Sequence, residues 1–189
     1  MKILEGLALR NTTEQRQLPS GRTIVIPAWI IHFPEDAPSR MAAGAKLFGK
    51  PDAAIEGSYL NKPLVLVGNA PLFGELAIAR ILEQDGWEAV WVDSYHSRKD
   101  PLFWKDLPDR SNPIDLTKEA PAAFDLYNRI ITKNNGRGGF FDVFAWRGGE
   151  FAFIEYKGAG DKPNRNECRW IDSALISGVS ESAFRFVLY

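Results

Sequence analysis

The chain has 189 residues, of which 45% are hydrophobic, and a formal net charge of −1. This composition excludes a disordered chain and predicts one domain of ordinary size or one domain with an extension, while the near-zero charge excludes attraction of the whole protein to nucleic acid. The single cysteine excludes a disulfide framework and favours a cytoplasmic protein. The two histidines stand in unrelated contexts, which excludes a multi-histidine zinc site. No apolar run approaches the ~20 residues of a membrane span.

Residues 1–60 are predicted to form a β-rich N-terminal extension. Two strand-like segments, 2–10 and 22–33, are rich in Leu, Ile and Val and are joined by a turn-rich segment over 11–21. A short helix is predicted over 41–49. None of these segments carries a chemical signature, so the sequence leaves their role open.

A strand and a helix open the second part of the chain. Residues 63–67 are predicted to form a short buried strand. A helix is predicted over 69–85, with Asn69 as its cap, Pro71 in its first turn and Gly86 as its terminator.

The predicted elements that follow alternate between strands and helices, which is the pattern of an α/β sheet with helices packed against it. In chain order they are a strand over 87–93, an irregular insertion near 97–121, a helix over 122–133, a cationic loop over 134–139, two strands about the Gly148-Gly149 turn, a helix over 164–177 and a strand over 183–189. The domain that contains them is placed at 61–189.

The two strands of the predicted hairpin carry the first candidate site. The Gly148-Gly149 pair suits a two-residue turn, and counting back from it places Asp142 directly opposite Glu155. The two-residue period of a strand puts Lys157 on the same face. Both faces of the hairpin are largely apolar, so it is predicted to be central, where two facing carboxylates repel each other. Either a divalent cation such as Mg²⁺ or a plain ion pair of Lys157 with Glu155 would offset that repulsion.

Two further acids lie on apolar helix faces. In the helix over 164–177, Glu167 lies one turn before Trp170 and shares its inward stripe. In the helix over 69–85, Glu75 aligns with Ile78 in the same way. An acid in such a place is either a site residue or, near a helix start, a residue that stabilises the first turn.

Basic side chains surround these acids along the sequence. They are Lys133, Arg137, Lys162, Arg165 and Arg169. A rim of this kind suits a phosphodiester ligand, because contacts from Lys and Arg to phosphates supply much of the affinity for nucleic acids. The alternative is an ordinary solvated surface.

The spacing of the acids and the lysine resembles that of a known superfamily. Asp142 in "FD", followed by Glu155 and Lys157 in "IEYKG", resembles the core motif of the PD-(D/E)xK nucleases, and the run "FIEYKGAGDKPNRNECRWID" is similar to the VRR-NUC family within that superfamily. The segment "GRGGFFDVFAW" is similar to the glycine-rich lead into the aspartate strand. The resemblance covers about 136–189 and extends loosely to Glu75. It implies a restriction-endonuclease-like core with the element order αβββαβ and a mixed central sheet flanked by helices.

The resemblance also implies roles for individual residues. Asp142 and Glu155 would bind Mg²⁺ or Mn²⁺ together with the carbonyl group of Tyr156. Lys157 would position the attacking water and stabilise charge on the phosphate, and Glu75 would assist with a metal or a water.

Two positions depart from the family pattern. Phe141 stands where the family usually has Pro, at a position that points away from the site. Glu167 stands where the family usually has Gln, and as an extra acid it would join the catalytic group.

The function implied is hydrolysis of DNA phosphodiester bonds by a metal-dependent endonuclease. Its expected substrate is branched or junction DNA in replication, repair or phage-related processes, with a helicase or repair protein as partner. A homodimer would suit junction cutting, which needs two active sites. The alternative is a non-cleaving nucleic-acid-binding module in a repair or defence complex. A small-molecule hydrolase is a weaker third option, because the chain lacks a Gly-x-Ser-x-Gly motif.

Overall fold

The computed structural model describes residues 1–31, 58–59, 62–68, 70–94, 100–108, 110–158, 161 and 164–188. The strands are β1 (Ala8–Gln17), β2 (Thr23–Ile31), β3 (Ser58–Tyr59), β4 (Lys62–Val67), β5 (Ala70–Phe73), β6 (Glu88–Asp93), β7 (Leu102–Trp104), β8 (Val143–Arg147), β9 (Glu150–Lys157) and β10 (Phe184–Leu188). The helices are α1 (Lys2–Gly6), α2 (Gly74–Gln84), α3 (Leu116–Glu119), α4 (Pro121–Asn134) and α5 (Arg165–Ile176), with a 3-10 turn over Glu181–Ala183.

A seven-stranded mixed sheet organises these elements. Its strand order is β1-β2-β10-β9-β8-β6-β7, and β3-β4-β5 form a second, three-stranded sheet. Strand β10 is parallel to both of its neighbours, β2 and β9, whereas the other described pairings are antiparallel. The predicted α/β fold with a mixed sheet flanked by helices is therefore confirmed.

Helices cover both faces of the central hairpin. On one face, α4 and α5 pack over Phe144 and Phe153, and Trp170 is fully buried there. On the other face, α1 and α2 pack over Val143 and Ile154. The alternation predicted for the two hairpin faces is confirmed, and both faces lie in the core.

The N-terminal segment differs from its prediction. The strand predicted over 2–10 is wrong in its first half, because Lys2–Gly6 forms α1 and buries Leu4 against α2. The turn predicted over 11–21 is also wrong, since most of it belongs to the long strand β1. Strand β1 lies at a sheet edge and exposes every second side chain along most of its length, so its polar residues suit a strand.

The helix predicted over 69–85 begins later than expected. Residues 70–73 pair with β4 as strand β5, so that the helix starts at Gly74. Its predicted cap, Asn69, lies outside the described residues. Gly86 follows the helix with a φ of +79°, the left-handed conformation expected of a terminating glycine.

The insertion predicted near 97–121 is not wholly irregular. Its residues 102–104 form β7, which pairs with β6 at the sheet edge, and residues 116–119 form α3, capped by the side chain of Asp115. A short apolar run between prolines was enough to extend the sheet, because β6 offered it an edge. The helix predicted over 41–49 lies outside the described residues.

The N-terminal hairpin is attached to the rest of the protein by strand pairing and by side-chain hydrogen bonds. Strand β2 pairs with β10 in the main sheet. In addition, the backbone N–H and the hydroxyl group of Ser20 donate hydrogen bonds to the Asp172 carboxylate on α5, at 2.9 and 2.7 Å. Within the described ranges, no helix is long and apolar enough to cross a membrane.

Candidate active site

The hairpin residues that were predicted as site residues lie at one end of the main sheet. Arg147 faces Glu150 across the turn, which is the register predicted from the glycine pair. At the far end of the hairpin β9 finishes at Lys157, and Asp142 lies one residue before β8. The Asp142 carbonyl accepts a hydrogen bond of 2.8 Å from the backbone N–H of Val92 on β6. The start of β8 therefore lies between the ends of its two neighbours.

Asp142 and Glu155 are fixed by each other's strands. The backbone N–H of Asp142 donates to Glu155 Oε2 at 3.2 Å, and the backbone N–H of Tyr156 donates to Asp142 Oδ2 at 3.0 Å. Each carboxylate thus accepts a hydrogen bond from the strand that carries the other. This reciprocal arrangement holds the two acids close together at the sheet end.

Lys157 bridges two buried acids. Its Nζ donates to Glu155 Oε1 at 2.8 Å and to Glu167 Oε1 at 2.7 Å, and its side chain is only 12% exposed. The sequence predicted either a metal or an ion pair of Lys157 with Glu155. The ion pair is present, and Glu167 also takes part in it. We call Asp142, Glu155, Lys157 and Glu167 the acid–lysine group.

The acid–lysine group contains three carboxyl groups and one amine. Burial and the charge of Asp142 raise the pKa of Glu155 well above its usual range, and Lys157 offsets this only in part. Burial alone would lower the pKa of Lys157, but the charges and hydrogen bonds of Glu155 and Glu167 outweigh it and raise that pKa. Lys157 consequently stays protonated, and the ionised form of Glu155 is disfavoured.

Asp142→Asn is expected to stabilise the metal-free protein at neutral pH by about 1 kcal/mol. The amide keeps an oxygen for the Tyr156 N–H but removes the charge that opposes ionisation of Glu155. Because the folded pKa of Glu155 is raised, its contribution to stability is complete below its unfolded pKa of about 4.3 and is lost as the pH rises. The gain should therefore grow as the pH rises above the unfolded pKa, as measured by thermal unfolding with EDTA.

The control for this variant is Asp125→Asn, on the exposed side of α4. It removes the same charge at a distance from the acid–lysine group and should show no such pH trend. A fall in the stability gain of Asp142→Asn with rising pH would contradict the assigned cause of the Glu155 shift.

Glu167 also helps to cap the first turn of helix α5. Its backbone N–H donates to Asn164 Oδ1 at 3.1 Å, and its Oε2 accepts from the Asn164 N–H at 3.2 Å, which together form a capping box. Both readings from sequence, an inward acid and a first-turn acid, are therefore true of one side chain. The sequence analysis missed Asn164, although an Asn three residues before a Glu is the signal for this cap.

Asn134 anchors the glycine-rich loop that precedes the acid–lysine group. It is buried at the end of α4, and its Nδ2 donates to the carbonyls of Gly136 and Gly138 at 2.7 and 3.0 Å. Its Oδ1 accepts from Arg169 Nε at 3.2 Å. One amide thus joins α4, the loop and α5. Sequence reasoning missed this role, because the Asn stands in a segment that reads as a flexible loop.

Gly139 brings the same loop against the first turn of α5. It has a φ of +90°, and a Cβ built there would overlap the backbone carbonyl of Asn166. Only glycine fits both the conformation and the space. This close approach sets the spacing between the start of β8, which carries Asp142, and the helix turn that carries Glu167.

Glu75 lies on the other side of the sheet from Lys157. It is buried in the first turn of α2, next to Gly74, which packs directly against the ring of Tyr156. A further acid at this sheet end, Asp93, is buried as the last residue of β6. Sequence reasoning did not single it out, although an acid that ends an apolar strand was visible. Both acids belong to elements that lie beside the hairpin, Glu75 to α2 and Asp93 to β6.

Four of the five basic residues predicted to contact DNA lie within the described ranges: Lys133, Arg137, Arg165 and Arg169. Arg137 pairs with Asp100 at 2.5 Å, and Arg169 is partly held by Asn134. The side chains of Lys133 and Arg165 are exposed. Lys162 lies outside the described residues. The rim is therefore cationic, but two of its members already have protein partners.

The donor set at this sheet end fits a divalent cation held by two carboxylates. Among the described residues, no three His, Cys, Asp or Glu side chains lie close enough together to hold a metal ion. Mg²⁺ requires only one or two protein carboxylates, with water and substrate oxygens completing its shell. The paired Asp142 and Glu155 meet this requirement, and a cation would offset the charge of Asp142 that disfavours ionisation of Glu155. The Tyr156 carbonyl remains the third ligand implied by the resemblance.

Comparisons with known proteins gave no match. No family model, no curated protein and no solved structure matches the chain. The assignment of function therefore depends on the residues and geometry of the acid–lysine group and on the fold that positions them.

Proposed function

We propose that this protein is a metal-dependent nuclease that hydrolyses DNA phosphodiester bonds. The observation that carries the proposal is the pairing of Asp142 and Glu155 through each other's backbone, with Lys157 on the face of Glu155. The spacing of these three residues resembles the PD-(D/E)xK motif. Elements α2, β6, β8, β9, α5 and β10 follow one another in the order αβββαβ, with β7, α3 and α4 inserted after β6, which supports a restriction-endonuclease-like core.

Asp142 and Glu155, with the carbonyl of Tyr156, would hold Mg²⁺ or Mn²⁺. The ion would polarise the scissile phosphate and lower the pKa of a water molecule. Lys157 is protonated and therefore acts as a cation that stabilises charge on the phosphate and orients the water, not as a general base. Glu167 holds the lysine in place, and Glu75 is the acid available from the α2 side.

The DNA backbone would lie along the exposed basic residues near this sheet end. Lys133 and Arg165 are exposed, and contacts of this kind position a duplex without reading its sequence. The substrate that we propose is branched DNA, which the protein would cut according to its structure. For a DNA junction we expect the protein to act as a dimer with two active sites. A repair protein or helicase would then supply the substrate.

One observation favours a second candidate, a binding module that does not cut. Lys157 is held by two carboxylates, and Glu167 stands where the resembled family usually has Gln. If this clamp holds when DNA is bound, Lys157 cannot reach the phosphate. The protein would then bind DNA as a subunit of a larger complex.

Cleavage of labelled DNA tests both candidates. Branched and linear substrates are incubated with Mg²⁺, Mn²⁺ or EDTA and with wild type, Asp142→Asn or the surface control Asp125→Asn. We expect metal-dependent cutting by wild type and the control, and a loss of roughly a hundredfold or more in Asp142→Asn. Binding without cutting in either metal would favour the second candidate, and neither binding nor cutting would contradict both.

A further inference from the structure

A cavity of about 550 Å³ lies at the opposite end of the main sheet from the acid–lysine group. The hairpin turn, the segment after α5 and helix α1 line it, together with Trp29 of β2 and Trp87. The eight residues of β9 separate it from Lys157 by roughly 23 Å, at the rise of a β-strand. Its size is that of a small-molecule site, and it shares no residue with the acid–lysine group.

Two arginine–tryptophan pairs line this cavity. The guanidinium of Arg147 lies 4.5 Å from the ring centroid of Trp87, and that of Arg185 lies 5.7 Å from the ring centroid of Trp29. Both indoles are more than nine-tenths buried and therefore rigid. Each guanidinium group therefore lies within cation–π distance of a rigid indole and also lines the cavity.

Arg185 is half-buried and has no close counter-ion among the described residues. Its Nη1 donates to the carbonyls of Ser182 and Phe184 at 2.8 and 2.6 Å, and no described carboxylate lies within ion-pair distance of it. Burial lowers its pKa, opposed by the more distant Glu5. Its Nε is buried and has no hydrogen-bond partner among the described residues. A guanidinium in this state is stabilised by an anionic ligand.

We propose that this cavity binds a nucleotide, with its phosphate at Arg185 and Lys2 and its base stacked on one of the two guanidinium planes. Phosphate matches the fork of N–H donors on arginine, and nucleobases stack on guanidinium planes as they do on aromatic rings. The cavity also contains Glu5 and Glu150, and Glu150 is neutralised by Arg147 at 3.7 Å. The nucleotide is either free or the end of a single strand, and its binding does not depend on nuclease activity.

Isothermal titration calorimetry in EDTA tests the proposal without any cutting. The titrants are AMP, a short oligothymidylate, adenosine and inorganic phosphate. We expect AMP or the oligonucleotide to bind at least tenfold more tightly than adenosine or phosphate, because both parts of the ligand are recognised. Binding of AMP identifies a free nucleotide as a source, and binding of the oligonucleotide alone identifies a strand end. Equal affinity for phosphate and AMP, or no binding at all, would overturn the proposal.

Substitutions then locate the binding. Arg147→Met and Arg185→Met should each weaken binding about tenfold, whereas the control Arg22→Met, which removes a surface pair with Glu181, should not. Arg147 is 45% exposed, so that its replacement tests the cavity even if Arg185→Met unfolds the protein. Unchanged affinity in Arg147→Met would place the nucleotide elsewhere. Lys157→Met should bind AMP as tightly as wild type does. That result would show that AMP binds in this cavity and not at the acid–lysine group.

Discussion

Lys157→Met is expected to reduce DNA cleavage roughly a thousandfold while DNA binding changes much less. Methionine keeps the length and apolar stem of the side chain but removes the only cation of the acid–lysine group. A fixed charge that acts on the transition state contributes about two to three orders of magnitude in rate, whereas one exposed phosphate contact contributes far less to affinity. Single-turnover cleavage with Mg²⁺, beside a binding assay with Ca²⁺ in place of Mg²⁺, measures the two effects separately.

This experiment has two controls, one variant and one stability measurement. Lys118→Met removes an exposed lysine from α3, and cleavage should be unchanged. Lys157→Met also leaves two buried acids without their cation, so its thermal unfolding must be compared with that of wild type at the assay temperature. Cleavage within about threefold of wild type by a folded Lys157→Met protein would remove Lys157 from the chemistry and the main argument for a nuclease.

Gly139→Ala should destabilise the protein by about 3 kcal/mol or more. The left-handed φ of +90° strains any residue with a Cβ, and here the Cβ would also meet the Asn166 backbone, which cannot rotate away as a side chain can. The loop or the first turn of α5 must move, and either movement separates Asp142 from Glu167. Urea unfolding measures the loss of stability.

Gly149→Ala is a matched control for that experiment. Gly149 has nearly the same backbone conformation, with a φ of +87°, but a Cβ there meets nothing within 4 Å. It should cost only about 1 kcal/mol, the strain of the conformation itself. Equal losses in the two variants would mean that the loop and α5 are not closely packed.

The hairpin could be predicted from sequence because its rules are local. A glycine pair fixed the turn, the two-residue period fixed the faces, and the register, observed as far as Val143 opposite Ile154, brings Asp142 next to Glu155. The same arithmetic brought Lys157 to the correct face. These parts of the candidate site follow from neighbours in the chain, and no knowledge of the remaining sheet was required.

Other features depend on partners that are distant in sequence. The polar residues of β1 form a strand only because β2 offers an antiparallel edge, and β5 forms because β4 lies beside it. Likewise, Glu167 bonds Lys157 only because Gly139 lets the loop approach α5. The sequence predicted an inward acid at Glu167, but the partner of that acid was set by the packing of a helix against a strand end.

The pairing of β2 with β10 has a consequence for the growing chain. Residues 28 and 186 are partners in the sheet. Strand β2 is therefore synthesised about 160 residues before β10, the strand with which it pairs. At roughly 5–20 residues per second, ribosomal synthesis leaves that strand without its partner for about 10–30 seconds. During this interval Ile24, Ile26 and Trp29 have no finished core in which to bury. The newly made protein therefore passes through a period in which a chaperone, or another nascent copy, can reach this strand before its own partner does.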